Sequence, residues 1–263
     1  MIRRICLMAA LAFLSHNALA KDWTKIRFAT EGAYPPFNMT APDGTVQGFD
    51  VDVANALCKQ MQAECSWVKQ EWDGMIPALM GRKFDAIAAS MSITEDRKKK
   101  VDFSDKYYAT PLGLVAAKGS ALRPDLALLK GKRIGVQRGT VADNFATRFW
   151  ASEGVEVIRY GKQEEVYLDL AAGRLDATWV DALEAEGGFL TKPTGEGYAF
   201  AGPTIFGRNA DEKAVIGEGV GVAVRKKDTE LKGKLNKALA EIRANGTYDA
   251  IRKKYFSQDI YGE

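Results

Sequence analysis

The feature that most constrains the fold of this chain is a regular alternation of short apolar segments with segments of helical periodicity. Residues 25–30 have the length of a strand, whereas Val53, Leu57 and Met61 recur every four residues and mark the buried face of a helix over 49–61. Further strands are predicted over 65–68, 85–89, 112–117, 133–136, 155–160, 177–180 and 219–224, and further helices over 75–80, 141–150 and 164–172. This pattern predicts α/β units with largely parallel sheets.

The clearest helix in the sequence lies near the C-terminus. Asp228 is predicted to cap it, and Asn245-Gly246 is predicted to end it. Its apolar face comprises Leu231, Leu235, Leu239 and Ile242.

The alternation stops at a polar stretch near 119–124 and then restarts, so the chain contains two similar halves. A helix, a Gly-Arg turn and an apolar strand occur around Gly81-Arg82 and again around Gly173-Arg174. Each of these strands ends in polar residues, and ligands of open α/β sheets bind at that end. Two such halves facing each other would form a cleft. The alternative is that so short a sequence similarity between the halves is a coincidence.

The N-terminal residues are typical of a secretory signal peptide. Arg3 and Arg4 precede a short apolar run over 5–14, and Ala18-Leu19-Ala20 forms a cleavage site ahead of Lys21. We therefore expect cleavage after residue 20 and export of a soluble mature chain, with a membrane anchor as the alternative. Loss of the two arginines lowers the formal net charge from +3 to +1. So small a charge does not favour nucleic-acid binding.

Two absences restrict the chemistry of the mature chain. His16, the only histidine, falls within the predicted signal peptide. A Ser-His-Asp triad, a Cys-His pair and a histidine-ligated metal are thereby excluded. The sequence also contains no phosphate-binding glycine motif, so no cofactor is expected.

Cys58 and Cys65 are the two cysteines of the expected mature chain. Because export leads to an oxidising compartment, this pair favours one disulfide, with two buried free thiols as the alternative.

Four places in the chain could carry binding chemistry. Glu31 directly follows the first strand, and Trp72 lies in a polar loop, where an aromatic residue either caps the surface or contacts a ligand. Ser92 and Glu95 have capping-box spacing, which would direct backbone N–H groups toward a carboxylate near Arg97; an ordinary cap with a solvated arginine is the alternative. Asp181 ends an apolar strand and would either bind a cation or cap the next helix.

Taken together, these motifs resemble a known family. The carriers of the resemblance are Ala29-Thr30-Glu31-Gly32-Ala33-Tyr34-Pro35-Pro36-Phe37, Gly48-Phe49-Asp50-Val51-Asp52, the Cys58 and Cys65 pair, Trp72-Asp73-Gly74-Met75-Ile76-Pro77, Ser90-Met91-Ser92-Ile93-Thr94 and Gly246-Thr247-Tyr248. The chain over 25–263 resembles bacterial periplasmic solute-binding proteins for polar amino acids, closest to the lysine/arginine/ornithine- and histidine-binding group.

The resemblance implies the α/β two-lobed periplasmic-binding-protein fold (type II), with mixed, mostly parallel sheets and a hinge of two crossover strands. The expected lobes are 21–110 with 209–263 for lobe I and 111–208 for lobe II. The implied role is that of a periplasmic monomer that delivers its ligand to an inner-membrane ABC permease.

Position by position, the resemblance also implies ligand contacts. Arg97 would take the α-carboxylate, helped by backbone N–H groups near Ser92 and Thr140. Asp181 and the Ser90 carbonyl would hold the α-ammonium.

The remaining implied contacts concern the ligand side chain. Tyr34 and Trp72 would sandwich its aliphatic stem, and Glu31 would face a cationic tip. Met91 and Gln137 complete the expected binding set. Since a guanidinium matches a carboxylate by two parallel bonds and stacks on aromatic rings, arginine is the first choice, followed by ornithine, lysine and histidine.

Several positions depart from the usual pattern of that group. Ala89 replaces a serine, Ala142 stands where a glutamine often reaches the ligand, Gln137 replaces an apolar residue and Glu31 replaces a shorter aspartate. These departures keep open an arginine-derived opine or another polar amino acid as the ligand. An exported dehydratase on the same scaffold is the enzymatic alternative, with Glu31 and Asp181 as its candidate acid and base.

Overall fold

The computed structural model describes residues 23–262. The signal peptide predicted over residues 1–20 lies outside the described residues. The strands are β1 (Lys25–Thr30), β2 (Ala33–Tyr34), β3 (Asn38–Thr40), β4 (Val46–Gln47), β5 (Glu64–Lys69), β6 (Ala86–Ile87), β7 (Asp102–Phe103), β8 (Leu112–Ala117), β9 (Arg133–Gln137), β10 (Glu156–Tyr160), β11 (Ala177–Asp181), β12 (Tyr198–Phe200) and β13 (Ala223–Val224).

Helices alternate with these strands. The α-helices are α1 (Phe49–Gln60), α2 (Met75–Met80), α3 (Glu95–Lys98), α4 (Leu126–Leu129), α5 (Val141–Phe149), α6 (Gln163–Ala171), α7 (Ala182–Glu184), α8 (Ala210–Ile216), α9 (Thr229–Ala244) and α10 (Thr247–Tyr255). Short 3₁₀ turns cover Trp72–Gly74, Ala151–Glu153 and Pro193–Gly195, and a π-helical turn covers Ala185–Leu190.

Two five-stranded sheets form the two lobes. Their strand orders are β5-β1-β6-β13-β7 and β10-β9-β11-β8-β12. Both sheets are mixed, because β5-β1-β6 and β10-β9-β11 pair in parallel whereas β13 and β8 are antiparallel to their neighbours. The predicted α/β class with mixed sheets is confirmed. These two strands, β8 and β13, are the first sheet strands after the chain crosses from the other lobe. Each therefore enters its sheet in the direction opposite to its neighbours.

The chain crosses between the lobes through two paired segments. The Tyr107 N–H donates to the Val220 carbonyl, and the Val220 N–H donates to the Tyr108 carbonyl, both at 2.8 Å. This pairing corrects the strand predicted over 219–224, because only β13 joins a sheet and the residues before it belong to the crossing. The two paired crossings provide the hinge expected for a two-lobed fold.

Helices cover both sheets and bury their apolar faces. The predicted stripe of α9 is buried against the first sheet together with α1 and α10. In the second lobe, α5 and α6 bury separate clusters around Trp179 and Val166. Asp228 is the N-cap residue of α9, as predicted, but its side chain makes no capping hydrogen bond, because its carboxylate pairs with Arg225 at 2.6 Å.

One disulfide ties the end of the first helix to the neighbouring strand. Cys58 in α1 is bonded to Cys65 in β5, with a Cα–Cα distance of 6.1 Å. The predicted pairing is confirmed, and it closes the turn between an edge strand and the helix that covers it.

Candidate functional site

A cavity that is partly open to solvent lies between the lobes. Its walls come from both sheets, at the carboxyl ends of parallel strands, where open α/β sheets bind ligands. The lining residues are Glu31, Tyr34, Trp72, Ala89, Ser90, Ser92, Arg97, Gln137, Thr140, Val141 and Asp181. The cavity thus brings together nine of the ten residues predicted from the sequence. The exception is Met91, whose side chain is buried in the core of the first lobe and does not line the cavity.

The local fold explains why these side chains converge. Glu31 is the residue after β1, Gln137 ends β9 and Asp181 ends β11, so three strands place a polar residue at the cleft. Thr140 is the N-cap of α5, with its hydroxyl accepting from the Asp143 N–H at 3.2 Å. Each of these positions follows from where an element begins or ends.

Arg97 is held by carbonyl oxygens of both lobes. Its guanidinium donates to the Ser92 carbonyl at 2.9 Å and to the Gly139 carbonyl at 3.2 Å, and it lies 5.2 Å from the centre of the Trp72 ring. Only 9% of Arg97 is exposed. Burial lowers the pKa of this group to about 10, and the charge of Asp181 opposes that shift. The guanidinium remains charged at neutral pH and is desolvated.

The helix that carries Arg97 begins later than predicted. Thr94, rather than Ser92, is the N-cap of α3, and its hydroxyl accepts from the Arg97 N–H at 3.3 Å. The predicted cap by Ser92 is therefore wrong. The reason is that the Ser92 backbone is engaged elsewhere, in a bridge with Val220 at the crossing and in the carbonyl bond to Arg97.

Asp181 faces Tyr34 across the cleft. The Tyr34 hydroxyl donates to Asp181 Oδ2 at 2.8 Å, and both side chains are buried. Burial raises the pKa of Asp181 to about 6, although the hydrogen bond from Tyr34 and the charge of Arg97 act in the opposite direction. A cationic group placed beside this carboxylate would restore its ionised form.

Glu31 forms the second acidic group of the cavity. The Gln137 amide donates to Glu31 Oε1 at 2.8 Å, which joins the two lobes. Burial raises the pKa of Glu31 to about 7, the Gln137 bond lowers it, Glu71 and Asp73 raise it, and Lys162 lowers it. Glu31 and Asp181 therefore have different charged neighbours.

Ser90 has an unusual backbone conformation at the cavity wall. Its φ of 54° lies in the left-handed region, which is rare for a residue with a side chain. Its hydroxyl donates to Asp50 Oδ2 at 3.1 Å, and Asp50 also accepts from Asn38 and Tyr107. These buried bonds hold the turn at Ser90 in place, as expected where strain is kept at a functional site.

Sequence reasoning missed a third buried acid near the cavity. Glu184 is 1% exposed and accepts a hydrogen bond from the Tyr167 hydroxyl. Burial raises its pKa well above the usual value, and the charges of Asp181 and Glu31 raise it further. Burial therefore favours the protonated form of this carboxyl. The sequence indicated Glu184 only by its position one helical turn after Asp181. Val141 also lines the cavity, and the sequence indicated it only by its position directly after Thr140.

Within residues 23–262, no group of three or more histidine, cysteine or acidic side chains is arranged to hold a metal ion. Over the same residues, none of the helices has the length and apolarity needed to span a bilayer. The candidate site is therefore described by the polar and charged side chains that line the cavity.

A two-lobed fold that encloses polar and charged groups at its hinge defines a solute-binding protein. The chain belongs to the bacterial extracellular solute-binding proteins, family 3, whose sequence profile matches residues 26–258. Over 263 residues it is 50% identical to the L-arginine-binding protein of Pseudomonas aeruginosa, covering 99% of each chain. It is 45% identical over 238 residues to the lysine/arginine/ornithine-binding periplasmic protein of Escherichia coli, covering 90% of each.

A solved structure agrees with these sequence relationships. An ancestral arginine-binding protein bound to arginine superimposes with a TM-score of 0.80 at 36% identity, covering 89% of this chain and 99% of that one. The relatives named here are binding proteins, and the predicted family resemblance is confirmed.

Proposed function

We propose that this chain is the periplasmic substrate-binding component of an ABC importer and that it binds a cationic amino acid, with arginine preferred over ornithine, lysine and histidine. It would act as a monomer that delivers its ligand to an inner-membrane permease. The names of the relatives support the ligand class, and the chemistry of the cavity supports it independently.

One observation carries the proposal: two buried carboxylates and one buried guanidinium line a single cavity. A free amino acid brings an α-carboxylate and an α-ammonium, which match Arg97 and Asp181. Because an unpaired buried charge costs several kcal/mol, Glu31 requires a second positive group on the ligand. Only an amino acid with a cationic side chain satisfies all three groups.

The α-carboxylate is proposed to bind at Arg97. A guanidinium has five N–H donors, so its bonds to Ser92 and Gly139 leave donors for a ligand. The free N–H groups at the start of α5, behind the Thr140 cap, would add to this anion site.

The α-ammonium is proposed to bind at Asp181, with the Ser90 carbonyl as a second acceptor. Tyr34 already donates to this carboxylate, so the acid is oriented before the ligand arrives. The charge of the ammonium would lower the pKa of Asp181 from about 6 and keep it ionised.

The ligand side chain is proposed to extend between Tyr34 and Trp72 toward Glu31. An aliphatic stem would contact the aromatic rings, and a guanidinium tip would form parallel bonds with the Glu31 carboxylate. Gln137 donates to one oxygen of that carboxylate and leaves the other for the ligand.

Closure of the lobes is proposed to accompany binding. The bonds Tyr34–Asp181, Gln137–Glu31 and Arg97–Gly139 all join residues of different lobes, so they form only when the lobes are together. A ligand held between closed lobes requires an open form for access, and the paired crossing segments are the place where the lobes can hinge.

The boundary between the lobes is proposed to differ slightly from the predicted one at 208/209. Helix α8 packs against α5, and its Ile216 is buried in the cluster of the second lobe. This packing favours a boundary after Ile216, immediately before the second crossing.

A thermal-shift screen followed by calorimetry tests the proposal. Arginine, ornithine, lysine, histidine, citrulline, glutamine and an arginine-derived opine would each be added to the mature protein. Because ligand binding raises the melting temperature by mass action, arginine should give the largest shift. A larger shift with a neutral amino acid or an opine would contradict the proposed ligand, and conversion of any ligand into product would favour the dehydratase alternative.

A further inference from the structure

Two ion pairs cross the mouth of the cleft beside the cavity. Arg138 Nη1 lies 3.2 Å from Asp73 Oδ2, and Lys162 Nζ lies 3.4 Å from Glu71 Oε1. In each pair the acid belongs to the first lobe and the base to the second. The bases follow the carboxyl ends of β9 and β10, at the same edge of the sheet as Gln137.

Both acids flank Trp72. Glu71 precedes the 3₁₀ turn Trp72–Gly74 and Asp73 lies within it, so the two pairs hold this turn from either side. The second lobe approaches the turn closely at Gly139, where φ is +71° and a Cβ would lie 3.6 Å from Trp72 Nε1 and 3.7 Å from Asp73 Oδ1. The ion pairs therefore act at the point where one wall of the cavity meets the opposite lobe.

We propose that Glu71–Lys162 and Asp73–Arg138 form an ionic latch, which holds the lobes closed over the ligand and slows its release without touching it. The latch rests on the proposed function, because it acts on closure of the same cavity. These four residues are positioning residues: they fix Trp72 against the second lobe, and Arg97 lies over the Trp72 ring.

The physical reason is that the pairs exist only in the closed form. An ion pair that forms only in the closed state stabilises that state relative to the open one by its own interaction free energy. It does not alter the fold of either lobe. Both pairs are solvent-exposed, with side-chain exposures of 46% for Asp73 and 71% for Glu71. Exposed pairs are individually weak, so each should change the rate of opening by about two- to five-fold.

The latch groups also influence the cavity. Glu71 and Asp73 raise the pKa of Glu31, and Lys162 lowers it. The charges of these exposed groups therefore act on Glu31, at the end of the cavity where the cationic tip of the ligand is proposed to bind.

The test measures arginine association and dissociation by stopped-flow in wild-type protein and in Glu71→Gln, Asp73→Asn and their double variant. Dissociation should be about two- to five-fold faster in each single variant, and the melting temperature of the ligand-free protein should not change. At 1 M salt, where the Debye length is about 3 Å, the difference from wild type should largely disappear.

The chain offers a closely matched control. Glu64 pairs with Lys25 at 3.4 Å and is 72% exposed, but this pair joins neighbouring strands of one lobe. Glu64→Gln removes the same charge and the same kind of contact, and it should leave dissociation unchanged. A pair-swapped variant, Glu71→Lys with Lys162→Glu, should restore slow dissociation that Glu71→Lys alone loses.

The outcomes separate the two proposals. If wild-type protein binds arginine but the latch variants release it at the wild-type rate, or if Glu64→Gln accelerates release equally, the latch is overturned and the proposed function stands. If wild-type protein does not bind arginine, the proposed function fails, and with it the latch that depends on closure over that ligand.

Discussion

Replacing Glu31 by glutamine is the most direct test of how the cavity distinguishes a cationic ligand from a neutral one. The substitution keeps the size of the side chain and an oxygen that can accept from Gln137, whose amide lies 2.8 Å from Glu31 Oε1. It removes only the charge. The expected result is a large loss of affinity for arginine and little or no loss for citrulline, its uncharged counterpart.

The magnitude follows from the burial of Glu31, which is 8% exposed. Its pKa rises from 4.5 to about 7, which corresponds to about 3 kcal/mol for ionising Glu31 at this buried position. The arginine guanidinium offsets that cost in the wild-type protein. In the variant the guanidinium is buried without a countercharge, and the loss should be about 3–5 kcal/mol. Citrulline has no charge to lose, so its affinity should stay the same or increase.

Isothermal titration calorimetry at pH 8 with both ligands measures this difference, since Glu31 is ionised there. A loss of about 10²- to 10⁴-fold for arginine with an unchanged citrulline affinity would agree with the reasoning. Equal losses for the two ligands would refute it, because they would show that Glu31 supports the cavity without recognising charge. The Glu64→Gln variant serves as the control for loss of one exposed carboxylate.

Three further predictions use the same protein. Asp181→Ala should weaken arginine binding by about 3–5 kcal/mol, because it removes the buried partner of the α-ammonium; a loss of less than ten-fold in calorimetry would contradict that role. Arginine affinity should fall as the pH is lowered from 8 to 5, because protons compete with the ligand at Glu31 and Asp181, whose pKa values are raised to about 7 and about 6. Titrations in buffers of different ionisation enthalpy should show proton release near pH 6, and an affinity independent of pH would count against ionised carboxylates at the ligand. Reduction of the Cys58–Cys65 disulfide should destabilise the protein by about 2.5 kcal/mol through the loss of a short closed loop, and a melting temperature unchanged by reductant would argue against this contribution.

Much of the fold could be predicted because its signals are local. The helical spacing that ends at Met61 and the stripe on α9 reflect side chains that must be buried on one face, and the structure buries them there. Helix starts were predictable in part. Asp228 is the N-cap residue of α9, although its carboxylate pairs with Arg225. Ser92 has the chemistry of a cap, yet it forms a bridge with Val220 at the crossing, and Thr94 caps α3 instead.

Most residues that line the cavity could be predicted because they lie in motifs of the family. The local sequence around each residue did not decide between a binding role and a structural one. Met91 shows the limit of a motif: it stands among lining residues in the sequence, but its side chain packs in the core of the first lobe. Glu184 shows the opposite case, since only the packed structure reveals a third buried acid whose pKa is raised by burial and by the charges of Asp181 and Glu31.

The sequence by itself determined the alternation of strands and helices, the paired cysteines and the kinds of charge available for binding, because these depend on residue type and short-range spacing. The tertiary structure alone decided which charges meet. Glu31 and Gln137, Tyr34 and Asp181, and the two ion pairs at the cleft are separated by long stretches of chain. Contacts between the lobes depend on how two folded sheets turn about a hinge, and no local pattern encodes that angle.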